Sequence, residues 1–148
     1  MSKTPDKIAI ASDHAGFALK QKIKSFLHEK GIESFDFGTH SEESVDYPDY
    51  VHPLAQAMGK GDYELGIVIC GSGNGVNITA NKHAHIRSAL CWIPEIATLA
   101  RHHNDANVLA MPARFIDEKL AREITEAFLD ASFEGGRHKN RVDKIKCS

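Results

Sequence analysis

The stretch Cys70-Gly71-Ser72-Gly73-Asn74-Gly75 joins a thiol to a glycine-rich turn at the start of an expected helix. Glycine lets backbone amides come close to a ligand, and the N–H groups that open a helix bind anions. The same positive end favours thiolate over thiol, so an anion and a base or nucleophile can share this segment. A buried structural cysteine before a tight turn is the plainer reading, but three glycines within residues 71–75 are costly without a purpose. The familiar nucleotide loops do not fit. A G-x-G-x-x-G fingerprint counted from Gly71 would need glycine where Val76 stands, and no Gly-Lys-Ser/Thr follows. A Cys-x5-Arg phosphatase loop would need arginine at that same Val76.

Other residue sets offer chemistry with less local specificity. Asp13-His14 closes the first expected strand, where an acid and an imidazole can orient a hydroxyl or move a proton. An aspartate capping the next helix beside a surface histidine reads equally well. His102 and His103 are adjacent on an expected helix and point in different directions, so they do not share a metal. His103 followed by Asn104 suits a polar site. His83-x-His85 is a candidate ligand pair without a convincing third ligand, and no metal is expected. In Gly135-Gly136-Arg137-His138-Lys139-Asn140-Arg141 the two arginines stand one helical turn apart and match a phosphate, or else lie on a solvated helix. Tyr47 before Pro48 is a loop aromatic that covers a pocket or packs, and Arg114 follows the last strand.

These residues need a scaffold, and the pattern supplies one. Short β-rich runs at 7–11, 33–37, 65–70, 88–91 and 108–111 alternate with helical patterns at 16–30, around 51–58, 73–81, 94–103 and 117–131. Pro53 is expected in the first turn of the second helix, where a missing N–H costs little. Gly135-Gly136 breaks the chain before a short basic helix at 135–148. Strict β-α alternation predicts an α/β fold, a three-layer α/β/α sandwich around a Rossmann-like five-stranded parallel sheet. Ligands of such sheets bind at the carboxyl ends of the strands. That singles out the loops holding Asp13, Gly71 and Arg114.

Size and charge narrow the classes. The 148 residues suit one domain over 1–148. A chain of that length buries about 70% of its unfolded surface and needs no disulfide or metal to fold. Three cysteines, an odd count without a CxxC pair, suit a reducing compartment. No apolar run is long enough to span a bilayer, and the segment from Met1 to Asp6 lacks the apolar core of a leader, so a cytoplasmic location is expected. Net charge is −2, yet residues 135–148 carry five basic residues and one acid. The body is therefore acidic, with no broad basic face for nucleic acid.

The motifs together resemble the ribose-5-phosphate isomerase B family, which also includes galactose-6-phosphate isomerase subunits. The matching segments run in order along nearly the whole chain: Ser12-Asp13-His14-Ala15-Gly16-Phe17, Asp46-Tyr47-Pro48, the Cys70–Gly75 loop, Ala80-Asn81-Lys82, His103-Asn104-Asp105 and Gly135-Gly136-Arg137-His138-x-x-Arg141. The resemblance implies an aldose–ketose isomerase that interconverts ribose 5-phosphate and ribulose 5-phosphate without cofactor or metal. Cys70 aligns with the catalytic base, which moves a proton from C2 to C1 through a cis-enediolate. Some members place a glutamate at the position of Val76, and the apolar residue here matches the cysteine variant. His103 aligns with the proton donor that helps open the furanose, assisted by Ser72 and Asp13. The amides of Gly71, Ser72, Gly73, Asn74 and Gly75 would face the enediolate. Arg137 and Arg141, with His14 or His138, would hold the phosphate, and Asn104, Arg114 and Tyr47 match substrate-binding positions. The pocket is expected at a homodimer interface, with Cys70 and the strand-one residues from one subunit and His103, Asn104 and the arginines from the other. Pairing of dimers into tetramers stays open. A six-carbon substrate such as allose 6-phosphate or galactose 6-phosphate, a non-catalytic phosphate-binding module, and a thiol hydrolase using Cys70 and His103 are the competing readings.

Overall fold

The computed structural model describes residues 4–147. The start of the N-terminal stretch and Ser148 of the basic tail lie outside them. In chain order the elements are β1 (Lys7–Ser12), α1 (Phe17–Glu29), β2 (Glu33–Asp36), α2 (Pro48–Gly59), β3 (Gly66–Cys70), α3 (Asn74–Ala80), β4 (Ser88–Leu90), α4 (Pro94–Asn104), β5 (Val108–Pro112), α5 (Glu118–Asp130) and α6 (Arg137–Asp143). The strands form one parallel sheet in the order β2-β1-β3-β5-β4, as the alternation implies. No helix among the described residues is long and apolar enough to cross a membrane.

Side-chain alternation along each strand divides the core in two. Ile8, Ile10, Ile67, Ile69, Leu109 and Met111 pack with α1, α4 and α5 through Ile23, Leu27, Ala97, Ile124 and Phe128. Ala9, Ala11, Val68, Cys70, Val108 and Ala110 pack with α2 and α3 through Val51, Leu54, Ala55, Val76 and Ala80. Each fully buried large aliphatic side chain contributes about 1.5–3 kcal/mol, so both faces of β3 and β5 must be covered. Residues of β2 and β4, at the two edges, are only partly buried or exposed.

One expectation about α2 is corrected. The helix begins at Pro48, so Pro53 lies in its interior and not in its first turn. Asp49 and Pro53 are both exposed, so the carbonyl that the proline leaves without a donor is on the solvent side of the helix. The short basic tail helix does form, at Arg137–Asp143, and its pair Lys139–Asp143 closes at 2.9 Å.

A charged cluster ties α1 to the exit of β2. Lys20 is fully buried, and its Nζ donates to Asp36 Oδ1 at 2.6 Å and to the Thr39 carbonyl. Lys24 donates to Asp36 Oδ2 at 2.9 Å, and the Gly38 amide to Asp36 Oδ1 at 2.8 Å. Burial alone would raise the Asp36 pKa, but the hydrogen bonds from Lys20, Lys24 and Gly38 outweigh it and hold the carboxyl below its usual range. A depressed carboxylate contributes stability above its unfolded pKa of about 3.9 and loses it as pH falls through the lower folded value. Asp36→Asn is expected to cost about 3 kcal/mol at neutral pH, because it leaves the Lys20 charge buried and underpaired. Denaturant titration should show the gap to the unmodified protein constant above about pH 5 and closing below about pH 4. A gap unchanged at low pH would contradict this pairing.

Candidate active site

The chemistry gathers where β1 and β3 end side by side. Ser12 is in register with Ile69, and the Asp13 amide donates to the Ile69 carbonyl at 3.3 Å. Asp13 is buried, and its Oδ1 accepts from the Gly16 amide at 3.0 Å, closing the turn into α1. The N-cap of α1 is Gly16, without a side-chain cap, so Asp13 braces the turn before the helix and does not cap it, and it also lines a cavity. His14 Nδ1 accepts from the Val45 amide at 3.1 Å, so a neutral ring carries its proton on Nε2 and keeps a donor free.

Cys70 ends β3 and is 5% exposed. Gly73 takes φ +77°, a left-handed conformation natural to glycine, and turns the chain into α3. The Ser72 hydroxyl accepts from the Asn74 amide at 3.2 Å. Because α3 has only seven residues, the loop acts through its individual amides more than through a long helix dipole. A Cβ on Gly75 would lie 2.4 Å from Tyr47 Cζ, so the tyrosine ring rests directly on the glycine backbone. Across the sheet, the Ala113 and Arg114 amides donate to the Cys70 and Gly71 carbonyls at 2.9 and 3.0 Å. That lays the Arg114 side chain against Gly71.

A cavity of about 710 Å³ opens over these strand ends. Its wall includes Asp13, His14, Tyr47, Cys70, Gly71, Ser72, Gly75 and Arg114 from the sequence-derived set. Ser44, Val45, Asp46 and Phe115 complete much of the rest. Gly73 and Asn74 belong to the same loop without lining the cavity.

The remaining predicted residues form a second group on α4 and α6. His103 stacks on His138 with ring centroids 4.2 Å apart and an interplanar angle of 14°. Glu134 Oε1 lies 3.9 Å from His103 Nε2 and 3.8 Å from His138 Nε2. His138 is buried with its Nε2 unpartnered, and Asn104, Arg137 and Arg141 are exposed nearby in sequence. Burial first, then the positive fields of His103, Arg137 and Arg141, hold the His138 pKa below its ordinary value against the pull of Glu134. None of this second group lines the cavity at Cys70 within one chain.

His103, Glu134 and His138 bring three potential metal-donor atoms within 4.8 Å of one another. The stacked rings, however, direct their in-plane lone pairs along two nearly parallel planes, which cannot converge on one ion without unstacking. The His83-x-His85 pair is bound to α2. His83 Nε2 lies 2.7 Å from His52 Nδ1, and His85 Nε2 lies 2.7 Å from the Ala55 carbonyl. Sequence reasoning missed Glu134, Val45 and Phe115. The acid before Gly135-Gly136 was a usable signal for Glu134, whereas Val45 contributes a backbone amide that no residue type announces.

Known proteins are similar to this chain in sequence and fold. The profile of a family described as Ribose/Galactose Isomerase matches residues 8–145. Ribose-5-phosphate isomerase B of Escherichia coli is 48% identical over 139 residues, covering 94% of this chain and 93% of that protein. The structure of a ribose 5-phosphate isomerase from Thermotoga maritima is 52% identical with a TM-score of 0.93, covering 95% of this chain and 97% of that one. The ribose-5-phosphate isomerase B of Mycoplasma genitalium, solved with bound ribulose 5-phosphate, is 42% identical with a TM-score of 0.88, covering 94% and 93%.

The three thiols sit in three different settings. Cys91 is fully buried and burial pushes its pKa up to about 12, Cys147 is exposed, and Cys70 opens on the cavity. Alkylation of the native protein followed by peptide mass mapping should find Cys147 modified early and Cys91 only after unfolding. Native labelling of Cys91 as fast as Cys147 would contradict the packing around β4.

Proposed function

The chain belongs to the ribose/galactose isomerase family, and on that premise we propose that it interconverts ribose 5-phosphate and ribulose 5-phosphate with Cys70 as the base. It is an isomerase, as its relatives are. The observation that carries the reading is the position of Cys70, a nearly buried thiol in the wall of a polar cavity beside Asp13, His14, Ser72 and Arg114.

The reaction balances without an external oxidant. The Cys70 thiolate takes the C2 proton of the open-chain aldose, and the C2–H electron pair forms the C1–C2 double bond of a cis-enediolate as the C1 carbonyl pair moves to O1. A proton passes from O2 to O1, and the thiol returns its proton to C1 while the O2 electrons form the C2 carbonyl of the ketose. Negative charge grows on O1 and O2 in between. Fixed amides of Gly71, Ser72 and Gly75, the loop residues that line the cavity, suit it, because they need no reorganisation as the charge develops. In this reading Ser72 and Asp13 assist ring opening, and the free Nε2 of His14 is a donor for the phosphate.

His103, Asn104, Arg137, His138 and Arg141 complete the site from a second subunit. Two features support a homodimer. The phosphate-binding set is absent from the cavity wall of its own chain, and large apolar side chains lie exposed after the carboxyl ends of neighbouring strands. Trp92 and Ile93 follow β4, and Phe115, 76% exposed at the cavity itself, follows β5. In this arrangement His103 donates the proton that opens the furanose, and the arginine forks grip the phosphate.

Cys70→Ala should lower kcat about 10³-fold or more while substrate binding persists, and unchanged turnover would remove Cys70 as the base. Arg137→Ala or Arg141→Ala should raise KM, each removing a charged hydrogen bond worth about 1.5–3 kcal/mol. Unaltered kinetics in both would leave the basic helix merely solvated. A panel of five- and six-carbon sugar phosphates tests the substrate, and preference for a hexose phosphate would overturn ribose 5-phosphate.

A further inference from the structure

We propose that Lys20 is a positioning residue for the substrate cavity: its buried ammonium fixes the start of the 37–47 segment, which supplies one wall of the pocket. Lys20 lies on α1 three residues before Ile23, on the face turned to the core, and is among the largest fully buried side chains. Burying an ammonium is costly, and a pair of apolar residues of similar volume usually stabilises as well or better. Stability alone therefore does not account for a lysine here. Its hydrogen bonds do, because they converge on one short piece of chain.

That piece is the exit of β2. Lys20 Nζ binds Asp36 Oδ1 at 2.6 Å and also the Thr39 carbonyl. Asp36 in turn receives the Gly38 amide at 2.8 Å. Residues 38 and 39 are locked to the end of β1, with the Ser12 amide donating to the Gly38 carbonyl and the Thr39 amide to the Ser12 carbonyl, both at 2.7 Å. Asp13 follows Ser12 directly. From Phe37 to Tyr47 the chain has no helix or strand of its own. Beyond Thr39 it is tied to the cavity at the Val45 amide, which binds His14, and at Tyr47, whose ring lies on Gly75. Ser44, Val45, Asp46 and Tyr47 all line the cavity. Lys20 itself does not, so it acts through the segment and touches no substrate.

The proposal rests on the cavity being the sugar-phosphate pocket, and two readouts separate the two ideas. In the full-length protein, Lys20→Met keeps an apolar stem and removes the charge. Its KM for ribose 5-phosphate should rise about tenfold with kcat within about threefold of the parent. Amide hydrogen exchange in 37–47 should quicken by about tenfold or more while peptides from β3 and β5 keep their parent rates. Both results together support the proposal. A KM within about twofold of the parent, or exchange that quickens evenly across the domain, overturns it and leaves Lys20 a stability residue. Should Lys20→Met not fold, Lys20→Gln, which keeps a shorter neutral donor, is read by the same two criteria. If the parent protein does not turn over ribose 5-phosphate, the substrate reading fails, and the exchange pattern still decides the role of Lys20.

Discussion

The parallel pairing of β1 with β3 is the constraint on which the rest of the structure depends. The sheet order β2-β1-β3-β5-β4 reverses direction at this pair. The chain leaves β1 toward one edge and β3 toward the other, and the loops that follow them part to leave a crevice. With Ser12 in register with Ile69, Asp13 and Cys70 emerge at the same level. Neither residue needs an unusual backbone to meet the other. A shift of the register by one residue would turn Cys70 to the opposite face of the sheet, because side-chain direction alternates along a strand.

The same alternation decides which face the thiol serves. Cys70 points to the α2 and α3 side of the sheet with Val68 and Val76. Because α2 starts at Pro48, immediately after Tyr47, that layer also sets the aromatic ring on Gly75. On the other side, α1 supplies Lys20 and Lys24 to Asp36 and so controls the chain between β2 and α2. The two helical layers thus grip opposite ends of the 37–47 segment. A short sheet of small and branched residues positions a polar pocket in this way, with Cys70 the one strand residue in its wall.

Much of this was legible in the sequence, and the gaps have physical reasons. The alternation of apolar runs with helical periods fixed the parallel sheet, because buried strands such as Gly66–Cys70 leave no other pattern. The Cys70–Gly75 loop stood out because its glycines serve the turn at Gly73 and the contact at Gly75, both of which a side chain would spoil. The Lys20–Asp36 pair was invisible, since a lysine on a helix is ordinarily solvated and only tertiary packing buries it. Pro53 was misplaced because an exposed helix face tolerates a missing donor that an interior one does not. The stacking of His103 on His138 was hidden by the distance in sequence between α4 and α6, although each histidine was singled out alone.

The central claim is that the two groups of residues meet across a subunit interface. Mixing of inactive variants tests it most directly. Cys70→Ala and the double variant Arg137→Ala/Arg141→Ala are unfolded together, refolded and assayed at low ribose 5-phosphate. If sites are shared between subunits, each mixed dimer regains one intact site, and random pairing should restore about a quarter of the parent activity. If each chain builds its whole site alone, no intact site can form and the mixture will stay as inactive as its components.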